Sequence, residues 1–357
     1  GGFVAAVRRV PGMRIGVLCD PDTEAARAAL EQEGGLAADA IVETSKPGDA
    51  ADAVAAGKTV ITGDPALGAS LDGVDIVTDV TPSAESGART ALAAIEHDKD
   101  VVLINIETDV TVGGALKRRA ADAGVLYSVS SGDEPGCLME LWDFVRSLGY
   151  EPIVIGKGKN NPLQTDATPE TVREAAARAD KDPYQIASYV DGTKTMFELG
   201  CVANATGCRP MKPGMTGPQA DLSSVSRIFA REEDGGTSTV TPAVDYVQGT
   251  EMSGGVFITV RVEDDRIRRD LNYLKVGSGS YFTFFRPYHL WFLEAPISLA
   301  RAYFDRRPTL VPLDEPTADV VAVAKRDLHA GASIDAVGGY DVRGLLMTRE
   351  DARAANG

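Results

Sequence analysis

The chain has 357 residues, 44% of them hydrophobic, which is enough for two domains and a substantial buried core. Its 52 acidic residues against 36 basic ones give a formal net charge of −16. Such a surface is not built to neutralise nucleic-acid phosphates or anionic lipid, so any bound anion must be held by a local cluster. No long apolar run and no basic-then-apolar start occurs, and the expectation is a cytoplasmic protein without a membrane span or export signal.

The four cysteines, Cys19, Cys137, Cys201 and Cys208, show no CxxC or Cys/His spacing, and are expected to be small buried hydrophobes kept as thiols. His97, His289 and His329 are too scattered to signal zinc. Through the first 155 residues, strand-like runs alternate with helical patterns. "MRIGVLCD" is read as a buried strand, "TEAARAALEQE" as a helix, "TVIT" and "VDIVTDV" as strands, and "SAESGARTALAAIEHD" as a helix. "DVVLINIE" is read as a strand, "GGALKRRAADAG" as a helix, "VLYSVS" as a strand, and Pro135 to Leu148 as a helix. This rhythm predicts parallel βαβ units in a Rossmann-type doubly wound sheet, with ligands at the carboxyl ends of its strands.

After Ile155 the rhythm changes. A polar loop is followed by helices from about Thr168 to Ala179 and from about Gly192 to Thr206, then by a Gly/Pro-rich loop "RPMKPGMTGPQADL". "GGVFITVRV" is read as a strand, "RIRRDLNYLKV" and "SLARAYFD" as helices, and the segment from about Pro316 as short β elements joined by Gly turns. The expected domains are 1–155 for dinucleotide binding, 156–315 as an inserted α+β catalytic and dimerisation domain, and 316–357 as a small, truncated β appendage.

A dinucleotide-binding fold opens with a strand, a Gly-rich turn and a helix that receives the pyrophosphate. Here Gly1, Gly2 and the helical "FVAAVRRV" would be the end of that turn, with the first strand missing. Asp20 ends the next strand where an acid would accept hydrogen bonds from an adenosine ribose and repel a 2′-phosphate, which favours NAD(H); it could equally cap the following helix. Thr81 and Pro82 at one strand-to-helix junction, and Asn105 and Glu107 at another, would frame the nicotinamide and its ribose, or serve as ordinary helix caps.

"GKGKNN" places Lys157, Lys159 and Asn160 directly after the last strand of that domain. Lysines are most often solvated, but Gly/Lys alternation on a loop would let the backbone approach an anion that two ammonium groups grip. "VDGTKTMFELG" adds Asp191 and Lys194 at a helix start; a lysine beside the reacting carbon polarises a carbonyl or moves a proton if burial or a cationic neighbour lowers its pKa. "FFRPYHLWFLEAP" sets Arg286, Tyr288 and His289 in an aromatic run, with Arg286 as an anion fork and His289 as an acid or base. The carboxylates Glu107, Asp191 and Glu198 are too loosely spaced to assign a metal site.

The strings "GKGKNNP" with "DATPE", "VDGTKTM", "VANATG", "GMTGPQADL", "FFRPYHL" and "VAVAKRDLHAGASIDAVGGYDVRGL" together resemble the homoserine-dehydrogenase-like oxidoreductases that carry a C-terminal SAF-type domain, along nearly the whole chain. The resemblance implies a Rossmann domain, a catalytic and dimerisation domain, an appended β domain, and a homodimer. It implies that Lys157, Lys159, Asn160, Lys194, Arg286, Tyr288 and His289 line the substrate pocket. The best-known activity of the group is that of the 1-deoxy-D-xylulose 5-phosphate reductoisomerase-like enzyme, which makes 2-C-methyl-D-erythritol 4-phosphate with NADPH. Homoserine dehydrogenases carry an Asn-Lys pair after the strand that here ends "INIE"; Asn105 is instead followed by Ile106 and Glu107.

The expected function is an NAD(P)-dependent oxidoreductase that reduces a small anionic carbonyl compound. Lys194 or Lys159 would stabilise the developing charge on oxygen, and Arg286 and Lys157 would hold the phosphate or carboxylate. The cofactor is NADP(H) or NAD(H); a divalent metal is not assigned. Alternatives are a sugar-acid or polyol dehydrogenase without rearrangement, and a non-catalytic ligand-binding or regulatory protein.

Overall fold

Two three-stranded parallel sheets and the helices that connect their strands make up the first of two compact units in the computed structural model, which describes residues 1–355. That unit is Gly1–Gly136 with Leu290–Val311, and the second is Cys137–His289 with the chain from Pro312. In the first unit α1 (Gly2–Arg8), β1 (Val17–Cys19), α2 (Thr23–Ala28), β2 (Ile41–Glu43), α3 (Pro47–Ala55), β3 (Thr59–Thr62) and α4 (Pro65–Ser70) form one half, with strand order β1-β3-β2. β4 (Ile76–Asp79), α5 (Ala84–Glu96), β5 (Asp100–Leu103), α6 (Ile106–Ala123) and β6 (Tyr127–Val129) form the other, with order β4-β5-β6. The central strands β3 and β5 are buried at every position, as a parallel sheet covered on both faces requires. The expected parallel Rossmann-like architecture is therefore present, as two three-stranded sheets.

Side-chain caps start the helices: Asp22, Asp64, Ser83 and Asn105 each accept a backbone N–H in the first turn of α2, α4, α5 and α6. The last of these corrects the sequence reading, which ran a strand through "INIE". Apolar, β-branched residues there look strand-like, but the Asn105 cap and the acids Glu107 and Asp109 in the first turn favour a helix from Ile106. Gly87 lets α5 and α6 approach closely, since a Cβ on it would lie 2.1 Å from Thr108 Oγ1. α13 (Trp291–Ala300) completes this unit.

The second unit is built on a mixed six-stranded sheet. Its elements are α7 (Glu134–Ser147), β7 (Glu151–Lys159), α8 (Arg173–Ala179), α9 (Pro183–Val190), α10 (Thr193–Thr206), β8 (Arg209–Pro210), α11 (Val225–Ile228), β9 (Ala243–Gln248), β10 (Val256–Arg261), α12 (Asp265–Tyr273), β11 (Gly277–Ser278) and β12 (Tyr281–Arg286). The strand order is β11-β12-β10-β7-β9-β8, with β7 parallel to β9 and antiparallel to β10. One face of the sheet packs Ile155, Val244, Val256, Ile258 and Phe282 against Leu138 of α7 and Met196 and Leu199 of α10. The opposite face packs Val154, Val247 and Phe257 against Val225 and Phe229. β13 (Ala318–Ala324) and β14 (Val342–Thr348) pair antiparallel beside α10, and α14 (Arg349–Ala355) follows.

Three cysteines are buried as expected, but Cys19 is exposed, because it stands at the carboxyl end of a short strand. No helix among the described residues is long and apolar enough to cross a membrane.

Candidate active site on the lysine face of the central strand

β7 does not stop at Ile155: it continues through Lys159 and is hydrogen-bonded to neighbours on both sides. The expected loop is thus a strand, and its Gly/Lys alternation is the period-two alternation of a sheet. The two glycines answer crowding by the protein itself. A Cβ on Gly156 would lie 1.8 Å from the Asp245 carbonyl oxygen, and one on Gly158 would lie 1.7 Å from that of Met252. They do not serve ligand approach.

Both lysines project from the other face and are buried, at 6% and 5% relative exposure. Lys157 Nζ lies 2.5 Å from Glu198 Oε2 of α10. Lys159 Nζ donates to the Tyr189 carbonyl at 2.5 Å. That carbonyl belongs to the end of α9, and the chain then turns through Asp191 and Gly192, whose φ of 89° suits glycine, into α10. Asp191 Oδ1 accepts the Thr193 N–H at 2.8 Å and so caps the incoming helix. The Lys159 ammonium is pushed down to about 8: burial contributes most, the neighbouring Lys157 charge adds to it, and Glu198 and Asp191 oppose it. A lysine in this state can give up and regain a proton near neutral pH.

Lys194 is the second residue of α10 and is half-buried, one helical turn ahead of Glu198 on the same side. Arg286 lies in register with Val256 of β10, which is in register with Lys157, so the three residues form one row on the same face. Arg286 Nη1 is 3.1 Å from Glu140 Oε2 and 3.1 Å from Cys137 Sγ. Its guanidinium carbon sits 4.8 Å from the centre of the exposed Tyr288 ring. His289 Nδ1 is 2.9 Å from the Gly254 carbonyl, and the exposed Asn160 borders Gly254, where a Cβ would stand 3.3 Å from Asn160 Oδ1. Lys157, Lys159, Asp191 and Glu198 are thus gathered at the start of α10 with Lys194. Arg286 with Tyr288 lies two strands away, and His289 with Asn160 lies at the loop before β10.

Two groups here escaped sequence reasoning. Lys325, just beyond β13, is 2% exposed in its side chain and puts Nζ 2.6 Å from Asp191 Oδ2; nothing local to either residue signals that pairing. Asp245 clamps the "GMTG" turn by accepting N–H groups of Thr216 and Gly217 and the Thr216 hydroxyl, which gives that motif a structural role. With Asp191 paired to Lys325 and Glu198 to Lys157, these two carboxylates are already neutralised by ammonium groups. They do not form a cation site.

The first unit holds the cofactor candidates. Asn105 Nδ2 donates to Asp79 Oδ1 and to the Ser83 carbonyl, both at 2.9 Å, while its Oδ1 accepts Thr108 N–H at 3.0 Å. Thr81 donates its hydroxyl to Asp79 Oδ1 at 2.9 Å. These groups tie the ends of β4 and β5 to the starts of α5 and α6, as caps. Pro82 is exposed and Glu107 is half-buried in the first turn of α6. Gly2 accommodates the Phe292 ring, 2.9 Å from where its Cβ would be, and Gly1 caps the seven-residue α1. Asp20 is half-buried beyond β1, with Oδ1 accepting the Asp22 N–H at 2.9 Å; Oδ2 has no partner among the described residues. The nearby Cys19 thiol is pushed up to about 11 by partial burial and by the carboxylates of Asp64, Asp20 and Asp79.

The family model described as oxidoreductase DRL, catalytic domain, matches residues 132–295. The segment bearing the lysine pair, α10 and Arg286 is therefore similar to an oxidoreductase catalytic domain. No curated protein matches the chain. Among solved structures, a "probable dehydrogenase" from Thermotoga maritima is 10% identical, with 86% of each chain covered and a TM-score of 0.47. A 1-deoxy-D-xylulose 5-phosphate reductoisomerase from Zymomonas mobilis, solved with NADPH, is 16% identical over 55% of this chain and 53% of its own, with a TM-score of 0.37. Both TM-scores lie below 0.5, so neither likeness bears on the chemistry here.

Proposed function

We propose that this chain is a nicotinamide-dependent oxidoreductase that reduces a small anionic carbonyl compound, with Lys159 as the proton donor to the carbonyl oxygen. The observation that carries this is the buried Lys159 ammonium, with its pKa drawn down to about 8 beside a second buried lysine, in the segment similar to an oxidoreductase catalytic domain. A nicotinamide dinucleotide held through its adenosine ribose by Asp20 would supply the hydride for the carbonyl carbon. Lys159 supplies the proton that turns the resulting alkoxide into a hydroxyl and is left as a neutral amine, which solvent reprotonates. Lys194, half-buried at the start of α10, adds positive charge on the same side. Arg286, steadied on Tyr288, offers a fork to a phosphate or carboxylate in exchange for Glu140.

Asp20 fits a nicotinamide dinucleotide through an adenosine ribose, because its second carboxylate oxygen is available at the end of a parallel strand. Asp64 and Asp79 add negative charge nearby, which favours NAD(H) over NADP(H). The reductoisomerase-like activity, the homodimer and the SAF-type identity of the C-terminal β pair follow from the resemblance of the sequence motifs, and the partner is a small anionic metabolite. A simple sugar-acid or polyol dehydrogenase is the second reading. It needs no cation, in keeping with the pairing of Asp191 and Glu198 with lysines.

The test records nicotinamide absorbance with NADH and NADPH against phosphorylated ketoses and unphosphorylated keto acids, with and without magnesium, for the wild type and Lys159→Met. Turnover that Lys159→Met slows by about 10²–10⁴-fold is expected. Metal-dependent turnover of deoxyxylulose phosphate alone selects the reductoisomerase reading, and metal-independent turnover of unphosphorylated acids selects the second. Wild-type protein that binds cofactor but oxidises neither form overturns both.

A further inference from the structure

We infer that Lys325, carried by the C-terminal β pair, is a positioning residue for the lysine site, acting through the carboxylate of Asp191. Its ammonium donates to the Ala167 carbonyl at 2.7 Å and the Gly339 carbonyl at 2.9 Å, and forms an ion pair with Asp191 Oδ2 at 2.6 Å. The two charged side chains are 2% and 0% exposed. A pair so thoroughly removed from water costs desolvation on both partners, and a stable fold does not require one, since apolar residues of similar volume pack as well. Its placement gives it a purpose. Asp191 holds the first turn of α10 through the Thr193 N–H, and the Gly344 N–H of β14 donates to the Thr193 hydroxyl at 2.9 Å. The β pair thereby grips the start of α10 at two points, and α10 carries Lys194 and Glu198.

Asp191 also contributes to the field at Lys159, after burial, Lys157 and Glu198. The charged groups acting on it are Lys157 on its own strand, Glu198 on α10 and Asp191 in the turn before α10, with Lys325 paired to Asp191. Lys159 donates a hydrogen bond to the Tyr189 carbonyl. Asp191 stabilises the Lys159 ammonium, and Lys325 neutralises part of that effect. Removing one partner or the other should therefore move Lys159 in opposite directions, which a merely structural role would not do.

This inference rests on Lys159 being the proton donor, so its test reads Lys159 directly. Titrating the Lys159 side chain by NMR, with the signal assigned by its loss in Lys159→Met, should show a fall of about one pH unit in Asp191→Asn and a rise of similar size in Lys325→Met. Asp191→Asn keeps the volume and an acceptor oxygen for Lys325, so it carries the test if Lys325→Met fails to fold, together with the Asp191→Asn/Lys325→Met double variant, expected between the single variants. Lys325→Arg should titrate like wild type and retain activity. The pH profile of turnover should follow the NMR shifts. An unchanged Lys159 titration in every folded variant overturns the positioning role even if the wild type is active; shifts as expected in a protein without turnover leave the role standing and sink the proposed activity.

Discussion

The carboxyl ends of β4 and β5 and the lysine face of β7 both present polar side chains in patterns that suit a ligand, and they use them in opposite ways. At β4 and β5, Asn105 and Thr81 are matched to Asp79, Ser83 and Thr108, and the cluster is neutral hydrogen bonding around one carboxylate. At β7, two ammonium groups and two carboxylates are buried together, and one lysine has its pKa lowered. A satisfied cap stabilises a fold whatever else is bound. A charge held close to deprotonation at neutral pH is a costly arrangement that chemistry explains better than stability does. The contrast teaches that residue type at a strand end is weak evidence for a site, whereas an unusual protonation state in a buried cluster is stronger.

That contrast can be broken or sharpened by experiment. The largest effect is expected from Gly156→Ala or Gly158→Ala, whose methyl groups would collide with backbone oxygens less than 2 Å away; a loss of about 3 kcal/mol or more, or failure to fold, should appear in urea unfolding. Lys157→Met removes the buried ammonium beside the Glu198 carboxylate, and should cost about 3–5 kcal/mol, with Lys157→Met/Glu198→Gln recovering much of it in a double-mutant cycle. A loss in the double variant equal to the sum of the losses in Lys157→Met and Glu198→Gln would show that the pair is not coupled.

Lys159→Met should lower the rate of carbonyl reduction by about 10²–10⁴-fold while leaving cofactor binding intact. In the wild type that rate should fall as pH rises through about 8, because the reducing direction needs the protonated amine. The linkage to stability runs the other way: between about 8 and the ordinary 10.5 the unfolded chain binds the extra proton, so this group makes the fold more stable as pH rises through that window. Unfolding midpoints compared between wild type and Lys159→Met across about pH 7.5 to 10 isolate that contribution by difference.

Smaller effects test the other region. Asn105→Ala should cost about 1–2 kcal/mol as a lost buried cap with cofactor affinity unchanged; a large drop in cofactor affinity without a loss of stability would make Asn105 a ligand contact after all. Asp20→Ala should weaken NADH binding about tenfold and narrow the gap between NADH and NADPH in titrations followed by fluorescence.

The amino-acid sequence by itself determined the alternation of strands and helices in the first unit, the placement of Asp20 beyond β1, the helix that begins at Thr193, and the nomination of Lys157, Lys159 and Lys194. Those features follow from local periodicity, capping residues and turn glycines, which a chain carries wherever it folds. Tertiary structure alone decided that "GKGK" is a strand, because the need for glycine at Gly156 and Gly158 arises from Asp245 and Met252, distant in sequence. It also decided that Asn105 is engaged as a cap and that Lys325 answers Asp191. Protonation belongs to the same class: the lowered pKa of Lys159 comes from burial and from charges on other elements, and no reading of neighbours along the chain contains the distances on which those effects depend.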